Sequence, residues 1–139
     1  MNSRNEYILI AFNELKTRAL EHFPFNEELL AEEEADLMEK WDTLLVNIAQ
    51  NHINFGFDAQ ELLSRFIRCY ANLTPLIRRE LLWFIGGECL HFLGDEEIAL
   101  FQELEERLHE RQSEGVDYDI EAEITLLRKE KGQINAIQH

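Results

Sequence analysis

Apolar residues recur along this chain at spacings of three and four, and no stretch alternates apolar with polar as a half-buried strand would. The pattern predicts helices almost throughout. A first helix from about Ser3 to His22 places Ile8, Ala11, Phe12, Leu15 and Ala19 on one face, and Pro24 ends it. Its segment Tyr7–Phe12 is apolar at six consecutive positions, wider than one core-facing stripe, so that face is expected to meet two neighbours, one of them from a second subunit. A second helix is predicted after Asn26 as N-cap, with Phe25 stapled to Leu30 and Glu27 and Glu28 in the first turn. Leu37, Trp41, Leu44, Ile48 and His52 continue it, with room for a break among Glu32–Glu34.

A third helix begins at Asp58, where Glu61 completes a capping box, and turns Leu62, Leu63, Phe66, Ile67 and Tyr70 inward. The fourth opens at Thr74–Pro75 and runs to Leu93 before Gly94. A fifth, capped by Asp95, carries the narrow stripe Ile98, Phe101, Leu104 and Leu108 and stops at Gly115. The sixth starts near Asp117 or Asp119, uses Ile120, Ile124 and Leu127, and ends at Gly132. Together these predict an all-α fold, a compact bundle of five to six helices in one domain over residues 1–139, with a short flexible tail from about 133. Helix 4, about 75–93, reads as its centre, because Leu81–Leu93 is apolar almost all round.

Composition narrows the setting. At 139 residues and 45% hydrophobic, the chain is long enough for a core. No apolar run is long enough to span a bilayer, and the N-terminal segment lacks a small-residue cleavage site. Cys69 and Cys89 both stand among apolar neighbours, which predicts reduced core thiols and a cytoplasmic protein. The net charge of −15 repels nucleic acid and anionic membranes and favours a basic partner. Its distribution is uneven. Glu21–Glu39 holds eight acids and no lysine or arginine, whereas Leu62–Arg79 holds no acid and four arginines, Arg65, Arg68, Arg78 and Arg79. For those arginines internal pairing ranks first, an interface with an acidic patch of a second copy next, and a small anion third. For the acidic run a solvated face ranks first. A docking surface formed by Glu27, Glu28, Glu32 and Glu33 follows, and nucleic-acid mimicry by carboxylates last.

Candidate chemistry is sparse. Gly86 and Gly87 sit inside the apolar run, at a cost of about 1 kcal/mol each in a helix interior; a close helix crossing ranks first, with close approach of a ligand and a local helix distortion as the other readings. Glu88 and His91 lie one turn apart, and Glu106 and His109 repeat the spacing. Glu-x-x-His is the unit of carboxylate-bridged di-metal bundles, but that arrangement also needs glutamates from two further helices on inward faces, and the other acids fall at solvent-facing positions. The structural reading, in which Glu88 pairs with an arginine or with His91 in a buried helix, therefore ranks above the metal reading. Cys89 and His91 point about 200° apart on a helix and form no nucleophile–base pair. No phosphate loop, Cys-x-x-Cys, nucleophile elbow or His-Glu-x-x-His occurs. The expected function is thus a non-enzymatic interaction or regulatory module that binds a basic protein, with Tyr7, Trp41 or Phe57 as exposed aromatic anchors and self-association into a homo-oligomer. No catalytic residue, metal or cofactor is assigned. The alternatives are a small metal-dependent or ligand-binding enzyme using Glu88 and His91, and an inhibitor that mimics nucleic acid.

Overall fold

The computed structural model describes residues 4–52 and 54–138, with 133–138 as backbone alone. The described residues form six α-helices and two 3₁₀ helices and no strand: α1 (Arg4–Ala19), α2 (Glu32–Ala49), α3 (Phe55–Cys69), a first 3₁₀ helix (Ala71–Leu76), α4 (Arg79–Ile85), a second 3₁₀ helix (Gly87–Phe92), α5 (Asp95–Ser113) and α6 (Ile120–Gln138). None of these helices is long and apolar enough to cross a membrane. The chain divides into two compact units. One comprises Ile8–Leu93; the other comprises Met1–Tyr7 with Gly94–His139.

In the unit Ile8–Leu93 the heptad-like spacing of α2 buries Leu37, Trp41, Leu44 and Ile48 on one stripe, and α3 buries Leu62, Leu63 and Phe66. Aromatic rings lock this core. Trp41 meets Phe12 edge to face at 6.3 Å and Phe66 at 5.6 Å, and its indole N–H donates to the Phe12 carbonyl at 3.2 Å. Such pairs contribute about 0.5–1.5 kcal/mol each beyond area burial. α3 touches α2, both 3₁₀ helices and α4, so it is the hub of the unit.

The segment predicted as a central helix 4 is instead three short pieces. Its first turns are 3₁₀, and Ile77 and Arg78 are extended before α4 begins at Arg79. α4 then ends at Gly86, whose φ of +71° and ψ of −153° leave helical space, and Gly87 follows at φ +56°. Apolar content in 81–93 arises from burial of Leu81, Leu82, Ile85, Cys89 and Leu93 across this break rather than from a helix buried on all sides.

Residues 20–31 form a turn-rich connector, not the start of helix 2. Phe25 has no staple role: it is buried at 4.7 Å from Tyr70 and stacked on Phe66 at 6.2 Å. Those long-range ring contacts hold the backbone out of helix until Ala31, the N-cap of α2, and Glu32, Glu33 and Glu34 occupy the first turn in place of Glu27 and Glu28. α3 begins at Phe55, ahead of Asp58, and has no side-chain cap. Trp41 and Tyr7, expected as exposed anchors, are buried, while Phe57 is 71% exposed. Cys89 is buried as expected, but Cys69 closes α3 on its exposed side.

In the other unit, Gly94 N caps α5 by donating to Glu97 Oε1 at 3.1 Å. Phe101, Leu104 and Leu108 of α5 and Ile120, Ile124 and Leu127 of α6 are buried, as their spacing predicts. Ion pairs Arg107–Glu130, Lys131–Glu103 (3.0 Å) and Arg111–Glu123 (3.2 Å) cross between α5 and α6. α6 continues past Gly132 to Gln138; the expected start near Ser3 and the side chains of the expected tail lie outside the described residues.

Candidate functional site

A cleft of about 380 Å³ that could receive a ligand lies between α2 and α3. Both helices turn leucines toward each other, so their flanking polar residues form two facing rims. Asp36, Glu39 and Lys40 line it from α2, and Asp58, Glu61 and Arg65 from α3. Leu37, Leu44 and Leu62 lie beneath. Its size falls within the range of ordinary ligand pockets.

The charges in the cleft are only partly matched. Arg65 bridges the rims, donating to Asp36 Oδ2 at 2.9 Å and to the Glu33 carbonyl at 3.0 Å. Lys40 reaches the same Asp36 oxygen at 3.2 Å. The hydrogen bond from Arg65, then Lys40, holds the Asp36 carboxyl below its ordinary value. Both cations are thus committed to one acid. Glu39, Asp58 and Glu61 have no ion-pair partner among the described residues. The rims therefore present surplus negative charge beside apolar surface, a combination that suits a basic side chain with an aliphatic stem.

Three of the four clustered arginines are drawn inward by partners distant in sequence. Arg65 pairs as above, Arg78 Nε donates to the Glu14 carboxylate, and Arg79 Nη2 donates to the Phe92 carbonyl at 2.7 Å. That last bond ties α4 to the end of the second 3₁₀ helix across the diglycine break. Arg68 is exposed, with no such partner among the described residues. Internal pairing therefore accounts for three of the four.

Glu88 and His91 lie exposed on the second 3₁₀ helix, without an arginine or each other as hydrogen-bond partner among the described residues. This corrects the expectation of a buried, locally neutralised pair: the break at Gly86 turns the second 3₁₀ helix so that only Cys89 is fully inward. Glu106 and His109 are exposed on α5 in the other unit. Among the described residues no three His, Cys, Asp or Glu side chains group as metal ligands.

Glu27, Glu28, Glu32 and Glu33 are all exposed, the first two on the connector and the others at the start of α2. Near them, Tyr70 donates its hydroxyl to Glu34 Oε2 at 2.7 Å, and burial, reinforced by that carboxylate, pushes the phenol's pKa well up. Sequence reasoning missed the cleft acids Glu39, Asp58 and Glu61. Asp58 and Glu61 had a competing explanation as a capping box, and the only available signal was that they flank the core positions Ala59 and Leu62.

No curated protein and no solved structure matches this chain. Residues 1–135 match the PA2817-like family over nearly the whole sequence, and the chain belongs to that family.

Proposed function

We propose that this chain is a non-enzymatic protein-interaction module that docks a basic segment of a protein partner. The observation that carries the reading is the α2–α3 cleft, where Glu39, Asp58 and Glu61 remain without cationic partners beside the Leu37, Leu44 and Leu62 floor. A lysine or arginine entering there lays its methylene stem on the leucines and meets a carboxylate with its head. Phe57, one residue before Asp58 and largely exposed, offers an aromatic contact at the same end of α3. The net charge of −15 steers such a partner toward the molecule before contact. Glu32 and Glu33 extend the acidic surface to the start of α2.

The test uses a fluorescent peptide of alternating lysine and leucine, titrated against the full chain and mapped by amide chemical shifts. Shifts should concentrate on 36–47 and 58–65. The variant E39Q/D58N/E61Q should weaken binding about tenfold, three exposed charge contacts of roughly 0.5 kcal/mol each. Raising the ionic strength should weaken the parent more than the variant. A control, E106Q/E110Q/E114Q on α5 and its C-cap, removes the same charge elsewhere. If both triple variants lose affinity equally, only bulk charge is at work and the cleft is no site.

A further inference from the structure

The connector between α1 and α2 combines features that nothing in the cleft reading uses. Phe23 is 68% exposed and Leu29 is 89% exposed, and Phe23 stands on a stretch of hydrogen-bonded backbone. Phe25 anchors it through the ring contacts with Phe66 and Tyr70. Backbone hydrogen bonds tighten its first half: Leu20 N to Lys16 O at 3.0 Å, His22 N to Ala19 O at 3.0 Å and Asn26 N to His22 O at 3.0 Å. Large apolar side chains presented on an ordered backbone lose little freedom on binding, and this is the property that distinguishes interface anchors from incidental surface hydrophobes.

The chemistry of the occupant follows from the flanking charges. Glu21, Glu27 and Glu28 lie on the connector, and no lysine or arginine occurs from Glu21 to Glu39. An anionic membrane would accept the phenyl and isobutyl groups but is repelled by these carboxylates. A second copy would have to bring its own surplus of acid against them.

We propose that residues 20–31 are a docking ridge whose Phe23 and Leu29 enter an apolar pocket rimmed by lysine and arginine on a partner protein. The inference rests on the reading of this chain as an interaction module, but on a surface separate from the cleft. The anchors supply adhesion, and Glu27 and Glu28 select the pocket by its basic rim.

The experiment places a benzophenone amino acid at 23, at 29 and, as a control, at Ala122 of α6 in the full chain, and irradiates it in lysate of the source cells. Adducts are mapped to the peptide. The proposal expects a partner adduct at 23 and 29 but not at 122, on a segment where apolar residues are flanked by at least two lysines or arginines. With the probe at 29, F23S and E27Q/E28Q should each cut its yield about tenfold, and 0.5 M salt should cut it further. The cleft variant E39Q/D58N/E61Q, run alongside, should leave these adducts in place. Their retention with loss of the lysine–leucine peptide separates the two surfaces. Adducts to a second copy, to a neutral or acidic segment, or in equal yield at 122, or no adduct at 23 and 29, overturn the ridge, even where cleft binding holds. Loss of every adduct and of peptide binding overturns both readings.

Discussion

Replacing the twin glycines by alanine reports directly on the break between α4 and the second 3₁₀ helix, because the two candidate local structures predict opposite signs. In a continuous helix each substitution stabilises, by about 1 kcal/mol. In the observed structure Gly86, at φ +71° and ψ −153°, occupies a region that residues with a Cβ enter at a cost of about 1–3 kcal/mol. Space there is not limiting: a Cβ would find its nearest neighbour, the Trp83 carbonyl oxygen, at 3.8 Å. Stiffening of the unfolded chain returns about 0.4–1 kcal/mol, so Gly86→Ala should cost up to about 2.5 kcal/mol net, all of it backbone. Gly87 adds a steric component. Its φ of +56° costs about 1–2 kcal/mol, and its Cβ would lie 2.3 Å from Gln60 Oε1, so the Gln60 side chain must swing away at about another 0.5–1.5 kcal/mol. Truncating Gln60 relieves the second part alone. Urea unfolding of the single and double variants, with unchanged m-values, isolates it. Gly87→Ala with Gln60→Ala should show a coupling of about 1 kcal/mol, and Gly86→Ala with Gln60→Ala almost none. Stabilisation by either alanine, or equal coupling at both sites, would refute the break.

Three further outcomes follow from the core and its polar fringe. Phe25→Ala should destabilise the chain by about 3–5 kcal/mol by urea midpoint, and Phe25→Leu by less; a loss below about 1 kcal/mol would show that the ring stack does not hold the connector. Native protein should titrate one thiol with Ellman's reagent, Cys69, because Cys89 is buried and its burial raises the thiol pKa against a partial offset from Ser64; Cys69→Ser should leave no fast-reacting thiol. The Tyr70 phenol has a raised pKa in the fold, so its stabilising contribution is fully present below its unfolded value of about 10 and is lost as pH climbs from there toward the folded value. Urea midpoints between pH 8 and 11 should therefore fall more steeply for the parent than for Tyr70→Phe; equal slopes would remove Tyr70 as the cause.

Helix identity was legible wherever burial alone decides it. The α5 stripe of Phe101, Leu104 and Leu108 and the α6 stripe of Ile120, Ile124 and Leu127 follow their spacing, since a helix packed on one side needs only a correct period. Legibility failed where a distant partner outweighs local preference. Phe25 looks like a staple from its neighbours, yet its rings of contact lie at 66 and 70. A run of leucines either side of two glycines reads as one helix, because hydrophobicity carries no sign of φ. Burial inferred for Glu88 and His91 depended on that helix and fell with it. Arg78 finds its partner, Glu14, 64 positions away in sequence, a pairing that no local pattern reveals. The cleft was hidden for a related reason: each rim looks ordinary on its own helix, and the surplus of carboxylate emerges only when Arg65 and Lys40 are both spent on Asp36.

The grouping of Met1–Tyr7 with Gly94–His139 sets an order of assembly. During translation, Ile8–Leu93 leaves the ribosome as an uninterrupted stretch and can fold while the remainder is still being made. The other unit must wait, since Arg4 has no Glu105 to bind until α5 has emerged. A stalled or prematurely terminated chain would therefore lack the Arg4–Glu105 ion pair that joins the start of α1 to α5.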